Sequence, residues 1–228
     1  MSFLPEWAEP VLRYMLEVGL RGTLQIAAIS LVGSTLIGIT LGTLLTIRFL
    51  PSRALIRFYI EVWRGLPILV TLFLIFFVLP AINPRFEFDA LISASIALTL
   101  WGSAQVAEAT RGAVGSIPKE QHEAASALGF GWLGRHTFVI LPQALRRLLP
   151  PLVSLLVNII QNTTIAQVIG APELLEAAER QVERLAAPTP IGIGEVKALP
   201  IYATVMVIFF LISFPLTRLA AYLEKRLT

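Results

Sequence analysis

The sequence predicts an all-α integral membrane protein with five transmembrane helices, an external N-terminus and a cytosolic C-terminus. Three observations carry that prediction. Only 14% of the 228 residues are charged, against roughly 25% in a soluble domain. Five stretches, 22–47, 65–84, 90–107, 148–172 and 198–217, contain no Asp, Glu, Lys or Arg, and each reaches the roughly 18 residues a bilayer span requires. Lysine and arginine divide 12 to 6 between alternate polar segments, as the positive-inside bias predicts. The five stretches hold 109 of the 228 residues. That excludes a soluble domain built on one buried core and leaves a single transmembrane domain over 1–228. Because the apolar residues form continuous runs, the spans read as helices, the form that satisfies its own backbone in lipid, and not as a β-barrel.

The first 21 residues contain Glu6, Glu9, Arg13, Glu17 and Arg21, which is not the basic start and apolar run of a cleaved signal peptide. Span one (22–47) carries Ser30, Ser34, Gly38, Gly42 and Thr46 at four-residue spacing. Such a small-residue stripe lets another helix approach closely, within the subunit or across a subunit interface. The segment to span two holds Arg48, Arg53, Arg57 and Arg64, which places it in the cytosol, with Arg57, Glu61 and Arg64 on one helical face. Pro67, Pro150, Pro151, Pro200 and Pro215 fall near span ends or inside spans, where neighbouring protein must re-satisfy the backbone.

Span three (90–107) sets Trp101, Gln105 and Glu108 on one stripe at i, i+4 and i+7, with Arg111 placed to pair with Glu108. The longest cytosolic segment follows, from about Glu108 to Arg147. There Ser116 supplies a capping hydroxyl, Pro118 an early proline and Gly129 a stop, bounding a short helix. Beyond it Phe130, Trp132, Leu133, Phe138, Val139 and Ile140 bring bulky apolar side chains next to water, so something should cover them. Span four (148–172) contains Asn158, Gln161, Asn162, Thr163 and Thr164. Polar groups at that depth are costly and mark a pathway by default, the alternative being hydrogen bonds between helices. The segment 173–197, with 85–89 and the N-terminus, falls outside, ten acids to six bases. Span five (198–217) returns the chain to the cytosol.

Other function classes are excluded on composition. Cysteine is absent, so there is no disulfide framework, thiolate zinc site or cysteine nucleophile. A net charge of +3, scattered beside spans, does not describe a nucleic-acid surface. Lys119, Lys197 and Lys225 are the only lysines and none follows a phosphate-cradling glycine run, so the chain has no P-loop, no ATP site and no cofactor of its own. His122 and His136 lack partners at ligand spacing, so neither a metal site nor catalytic residues are expected.

Glu123-Ala124-Ala125, then Gly129, then Val139 and Leu141-Pro142 resemble the EAA signature of ABC importer membrane subunits, with valine for the usual isoleucine. Glu61-Val62-Trp63-Arg64-Gly65-Leu66-Pro67, the run from Ser116 to Ala125, and Leu141 to Arg147 are similar to the branch that carries polar amino acids. The resemblance covers about residues 20 to 225. It implies a permease subunit in the prokaryotic inner membrane that pairs with itself or a sister chain. It also implies two ABC ATPase subunits holding ATP and Mg, and an extracytoplasmic binding protein that delivers the amino acid. On this reading the loop of about 116–142 holds the coupling helix, with Glu123, Ala124, Ala125, Gly129, Leu141 and Pro142 beside the ATPase. Trp101, Gln105, Asn158, Gln161, Asn162 and Thr164 line the substrate pathway, and Glu108, Arg111, Arg57, Glu61 and Arg64 form a gate or an ion-paired interface. Related permeases commonly have a lysine and an acid at the positions of Gln161 and Asn162, and a tyrosine and an asparagine at Gln105 and Trp101. The amide of Asn162 offers no negative charge, which favours a neutral or acidic substrate side chain. A secondary transporter or channel that needs no ATPase is the alternative; against it stand the EAA-like loop and the few intramembrane charges.

Overall fold

A computed structural model describes residues 5–46, 50–189, 192–193 and 196–227. Within them the chain is helical almost throughout. Helix α1 runs Ala8–Leu44, α2 Leu50–Gly65, α3 Ile68–Ile82, α4 Ala90–Gly115, α5 Lys119–Ala127, α6 Trp132–Ile169, α7 Leu174–Ala186 and α8 Ala198–Leu227. A two-residue antiparallel ladder, Pro188–Thr189 with Gly192–Ile193, is the strand pairing among the described residues. Four helices (α1, α4, α6 and α8) are long and apolar enough to cross a membrane, and α2 with α3 makes a fifth span if the bent pair is counted as one.

These boundaries differ from the charge-free stretches in an instructive way. α1 starts at Ala8 instead of 22, α4 continues past 107 to Gly115, α6 begins at Trp132 instead of 148, and α8 runs on to Leu227. Helical hydrogen bonding does not stop where hydrocarbon stops, and charged side chains at helix ends extend towards water. The stretch 65–84 behaves oppositely. Its helix begins only at Ile68, after a bend of 104° from α2, because Pro67 has no N–H to donate and disfavours helical backbone at Leu66. Segment 173–197, read as polar connection, contains the amphipathic α7. Ser116 is not the cap of α5 either. The preceding helix persists to Gly115, so the Ser116 hydroxyl donates back to the Ala113 carbonyl at 2.8 Å, and Pro118 takes the cap position with no side-chain bond.

The chain forms two compact units: residues up to Ser30 with Ile68–Leu98 and Asn158–Pro215, and Leu31–Pro67 with Thr99–Val157 and Leu216 onward. In the first, Val11, Met15, Leu174, Ala178, Ile201 and Val205 form a buried cluster joining α1, α7 and α8. A Cβ on Gly22 would lie 1.6 Å from the Pro172 carbonyl oxygen, so that glycine is dictated by contact. Ser30 donates to the Ser95 carbonyl at 3.2 Å. In the second unit, α1 continues along α4, where a Cβ on Gly38 would stand 2.4 Å from Val106 Cβ and one on Gly42 2.4 Å from the Ala107 carbonyl. Ser34 donates to the Thr99 carbonyl at 3.3 Å. The small-residue stripe therefore packs inside the subunit. α2 lies on the same core through Ile56 and Ile60, against Leu45, Ala104 and Ala107, and its Tyr59 hydroxyl meets Ser103 Oγ at 2.7 Å.

Three of the long helices contain wide turns. Met15–Leu20, Leu74–Val78 and His136–Ile140 are π-helical, and the last two end two residues before Pro80 and Pro142. A proline clashes with the carbonyl four residues back and lacks the N–H to bond it, and a widened turn removes both conflicts without ending the helix.

The seam between α1 and α4 yields a paired test. Ala has the higher helix propensity, by ~1 kcal/mol, so Gly112→Ala, which meets nothing within 4 Å, is expected to raise the thermal unfolding temperature in detergent or leave it unchanged. Gly38→Ala should lower it, because overpacking costs about 1–3 kcal/mol. Equal effects of the two changes would refute the close approach.

Candidate functional site

The short helix α5 and the start of α6 are joined by a polar network in the second unit. Gly129 adopts φ +84°, a conformation other residues resist, and turns the chain so that Gly129 N–H donates to the Ser126 carbonyl at 3.0 Å and Phe130 N–H to the Ala125 carbonyl at 3.1 Å. Arg135 Nη1 donates to Ser126 Oγ at 2.7 Å, and Gln143 Nε2 to Gln121 Oε1 at 3.3 Å. Arg147 Nη1 closes the far side on the Ser116 carbonyl and hydroxyl, at 2.6 and 2.7 Å. His136 is buried, stacks on Trp132 with ring centroids 4.3 Å apart, donates from Nδ1 to the Trp132 carbonyl at 2.9 Å and meets Thr46 Oγ1 through Nε2 at 3.1 Å. Burial and the nearby Arg135 guanidinium hold the His122 imidazole below its ordinary pKa.

One face of this assembly is bedded and the other bare. Ala125 is buried, with Val114, Ile117, Ile140 and Ala144 forming a cluster close by. Glu123 points outward, paired with Lys119 at 3.0 Å. Leu128 is 78% exposed, Leu133 71% and Phe138 70%. The expectation of apolar side chains awaiting a cover holds for Phe130, Leu133 and Phe138, while Trp132 and Val139 are half-buried and Ile140 belongs to the interior; Leu128 adds an exposed side chain that the expectation did not include. Ala124 and Pro142 are exposed and Leu141 is half-buried.

The predicted ion pair forms: Arg111 Nε donates to both carboxylate oxygens of Glu108 at 3.1 Å. Arg57 and Arg64 lie near enough to add positive potential at that carboxylate. Glu61 makes no ion pair among the described residues, so Arg57, Glu61 and Arg64 are not a closed triad.

On the pathway candidates, Trp101 and Gln105 keep their i, i+4 spacing on α4, both half-buried. Asn158 and Gln161 are exposed and Asn162 and Thr164 half-buried in the first unit. Asn162 Nδ2 donates to the Asn158 carbonyl at 2.7 Å and Thr164 Oγ1 to the Gln161 carbonyl at 2.8 Å. Part of this polarity is thus spent on the helix's own backbone as α6 tightens into a 3₁₀ turn over Thr163–Ile169. Asn162 also edges a small cavity with Ile68, Leu72, Ala97 and Ile165.

A group missed from sequence lies on α7. Glu173 is fully buried, caps the helix by accepting from Glu176 N–H at 2.7 Å and Leu175 N–H at 3.0 Å, and sits beside the Thr23 hydroxyl that accepts from Leu174 N–H at 3.1 Å. Glu176 and Gln181 are buried too. The signal was an acid followed by Leu174, Ala177, Ala178 and Gln181 at helical spacing. Burial pushes the Glu173 carboxyl up to about 7. A raised folded-state value means the folded protein holds this proton more tightly than the unfolded chain. Stability is therefore greatest below the ordinary carboxyl range, falls as pH rises from about 4.5 and levels off above about 7. Thermal unfolding across that range should show this decline in the native chain and a flatter profile in Glu173→Gln; parallel profiles would contradict it.

Residues 10–228 match the family model described as "Binding-protein-dependent transport system inner membrane component". The chain is 32% identical over 228 residues, all of both chains, to the probable glutamine ABC transporter permease protein GlnP of Bacillus subtilis (strain 168). It is 34% identical over 218 residues, 96% of this chain and 94% of the relative, to the glutamine transport system permease protein GlnP of Escherichia coli (strain K12). Among solved structures, a chain described as the crystal structure of an amino acid ABC transporter with histidines superposes with a TM-score of 0.80 and 25% identity, over 98% of this chain and 100% of that one. An inward-facing MetNI methionine ABC transporter shares the fold, with a TM-score of 0.74 at 18% identity over 96% of this chain and 99% of that one.

Proposed function

The chain belongs to the family of binding-protein-dependent transport system inner membrane components, and on that premise we propose that it is the permease subunit of an ATP-driven importer that carries glutamine or a similar polar amino acid. It supplies the translocation pathway and no bond chemistry. A second permease, identical or a sister chain, completes the pathway; two ATPase subunits work from the cytosol and an extracytoplasmic binding protein delivers the solute. The observation that carries the coupling assignment is the outer face of α5, where Glu123 and a rim of Leu128, Leu133 and Phe138 stand exposed around a helix braced from behind. Closure of the ATPase pair on ATP draws two such helices together and favours one access state, because ATP binds the two states differently.

On the pathway side, Trp101, Gln105, Asn158, Gln161, Asn162 and Thr164 offer uncharged hydrogen-bonding groups. An amide pairs with an amide or carboxyl group of the solute, and it lacks the charge that offsets desolvation of a guanidinium or ammonium. Neutral or acidic side chains are therefore the favoured cargo. The Glu108–Arg111 pair, with Arg57 and Arg64 nearby, is read as a gate at the cytosolic end.

Reconstitution with the ATPase and binding protein in proteoliposomes tests the assignment. ATP-dependent uptake of glutamine is expected, with glutamate competing better than arginine or lysine. Glu123→Lys, and Gly129→Asp, which also forces a side chain into φ +84°, should each abolish uptake while the subunit still inserts. Uptake at the native rate in both would remove α5 from the coupling role.

The orientation is tested separately. A single cysteine at Asn83 should react with an impermeant maleimide in intact cells, and one at Lys225 only after permeabilisation; the reverse pattern would invert the topology.

A further inference from the structure

A cavity of about 290 Å³ in the second unit borders the Glu108–Arg111 pair and has no occupant in the reading given above. Its walls include Leu45, Thr46, Arg53, Arg57, Arg111 and His122. Three guanidiniums line it, and among the described residues no carboxylate does. Arg111 is held by Glu108, but Arg53 and Arg57 form no ion pair among the described residues. They stand one helical turn apart on α2, so their charges repel across the hollow unless an anion sits between them. A guanidinium fork matches phosphate oxygens in shape and charge.

The adjoining cavity, about 720 Å³, shares Thr46 and His122 and adds Lys119, Trp132 and Arg135. There Trp132 Nε1 and Arg135 Nε are buried without an acceptor, and the acid in its wall, Glu123, is already paired with Lys119. In both walls the unmet capacity is that of donors.

α2 has three faces. Ile56 and Ile60 pack inward; Arg53, Arg57 and Arg64 share a second with a single acid, Glu61, one turn beyond Arg57; Leu55, 71% exposed, and Phe58, 69% exposed, share a third. A helix divided in this way lies in the membrane interface, with its apolar face among acyl chains and its arginines at headgroup depth. We propose that the cavity holds the phosphate of an anionic phospholipid, gripped by Arg53 and Arg57, while Leu55 and Phe58, on the opposite face of α2, stand among the acyl chains of the bilayer. The inference rests on the membrane location alone and is independent of the solute carried and of the coupling role of α5.

The test uses the transporter purified with its partner subunits in mild detergent and exposed to phosphatidylglycerol mixed with phosphatidylcholine, with retained lipid measured by native mass spectrometry. Phosphatidylglycerol should be retained in preference. Arg53→Gln with Arg57→Gln is expected to lower its retention at least about fivefold, whereas Arg146→Gln with Lys225→Gln, which removes the same charge elsewhere, leaves it unchanged. Arg53→Lys with Arg57→Lys keeps the charge but loses the fork, and is expected to give intermediate retention; it decides the matter if the glutamine pair does not assemble, since native retention there would overturn the guanidinium assignment. Equal loss in both charge-removing pairs would reduce the effect to general surface charge. Displacement of the lipid by millimolar inorganic phosphate would show that the site takes the free ion, and would overturn the lipid as occupant.

Discussion

Along α1 and α4 two backbones approach so closely that Gly38 and Gly42 have no room for a Cβ, and most of the second unit is assembled around that seam. Water gives helices in a bilayer no hydrophobic reason to associate, because lipid tails are as apolar as leucine; close packing and a few hydrogen bonds must hold them. Glycine and serine admit the approach, and Ser34 uses it to reach the Thr99 carbonyl. With α4 fixed, Ser103 is placed to meet Tyr59, which seats α2 and its arginines. The C-terminal third of α4 carries Glu108 and Arg111, so the charged cluster inherits its position from residues with almost no side chain.

What was legible in the sequence followed from free energies large enough to leave a mark on composition. A charged residue in hydrocarbon is costly, so the spans show as charge-free runs and the broad helical plan can be read from them. Gly129 was legible because a left-handed backbone selects for it, and Glu108 with Arg111 because three-residue spacing on a helix fixes their distance. The candidate site was half visible in the same way. Its short helix and bare apolar rim follow from Gly129, Phe130, Leu133 and Phe138, whereas the bracing of that helix by Arg135, Gln143 and Arg147 depends on contacts that only the fold brings about.

The misreadings share one physical origin. Charge-free runs mark where hydrophobicity ends, and backbone hydrogen bonding follows no such rule; α1, α4, α6 and α8 all run past it. Ser116 looked like a cap because a preceding loop was assumed, yet α4 had not ended. α7 was overlooked because its acids suggested solvent, while Glu173 and Glu176 are buried. Asn162 and Thr164 show the limit of counting polar residues, since each spends one hydrogen bond on its own helix.

The wide turn at Met15–Leu20 has a consequence for how sequences of this kind are compared. A π-turn amounts to one residue inserted into an α-helix without breaking it. Across it the buried positions Val11, Met15, Gly19 and Thr23 advance in steps of four, slower than the 3.6-residue period of an α-helix. A homologue that straightened this turn would have to lose a single residue to keep Gly22 beneath Pro172, and it would align with this chain through a one-position gap in the middle of a helix. Such a gap would record a change of pitch and not an error of alignment, and the apolar faces on either side of it would have to be counted separately.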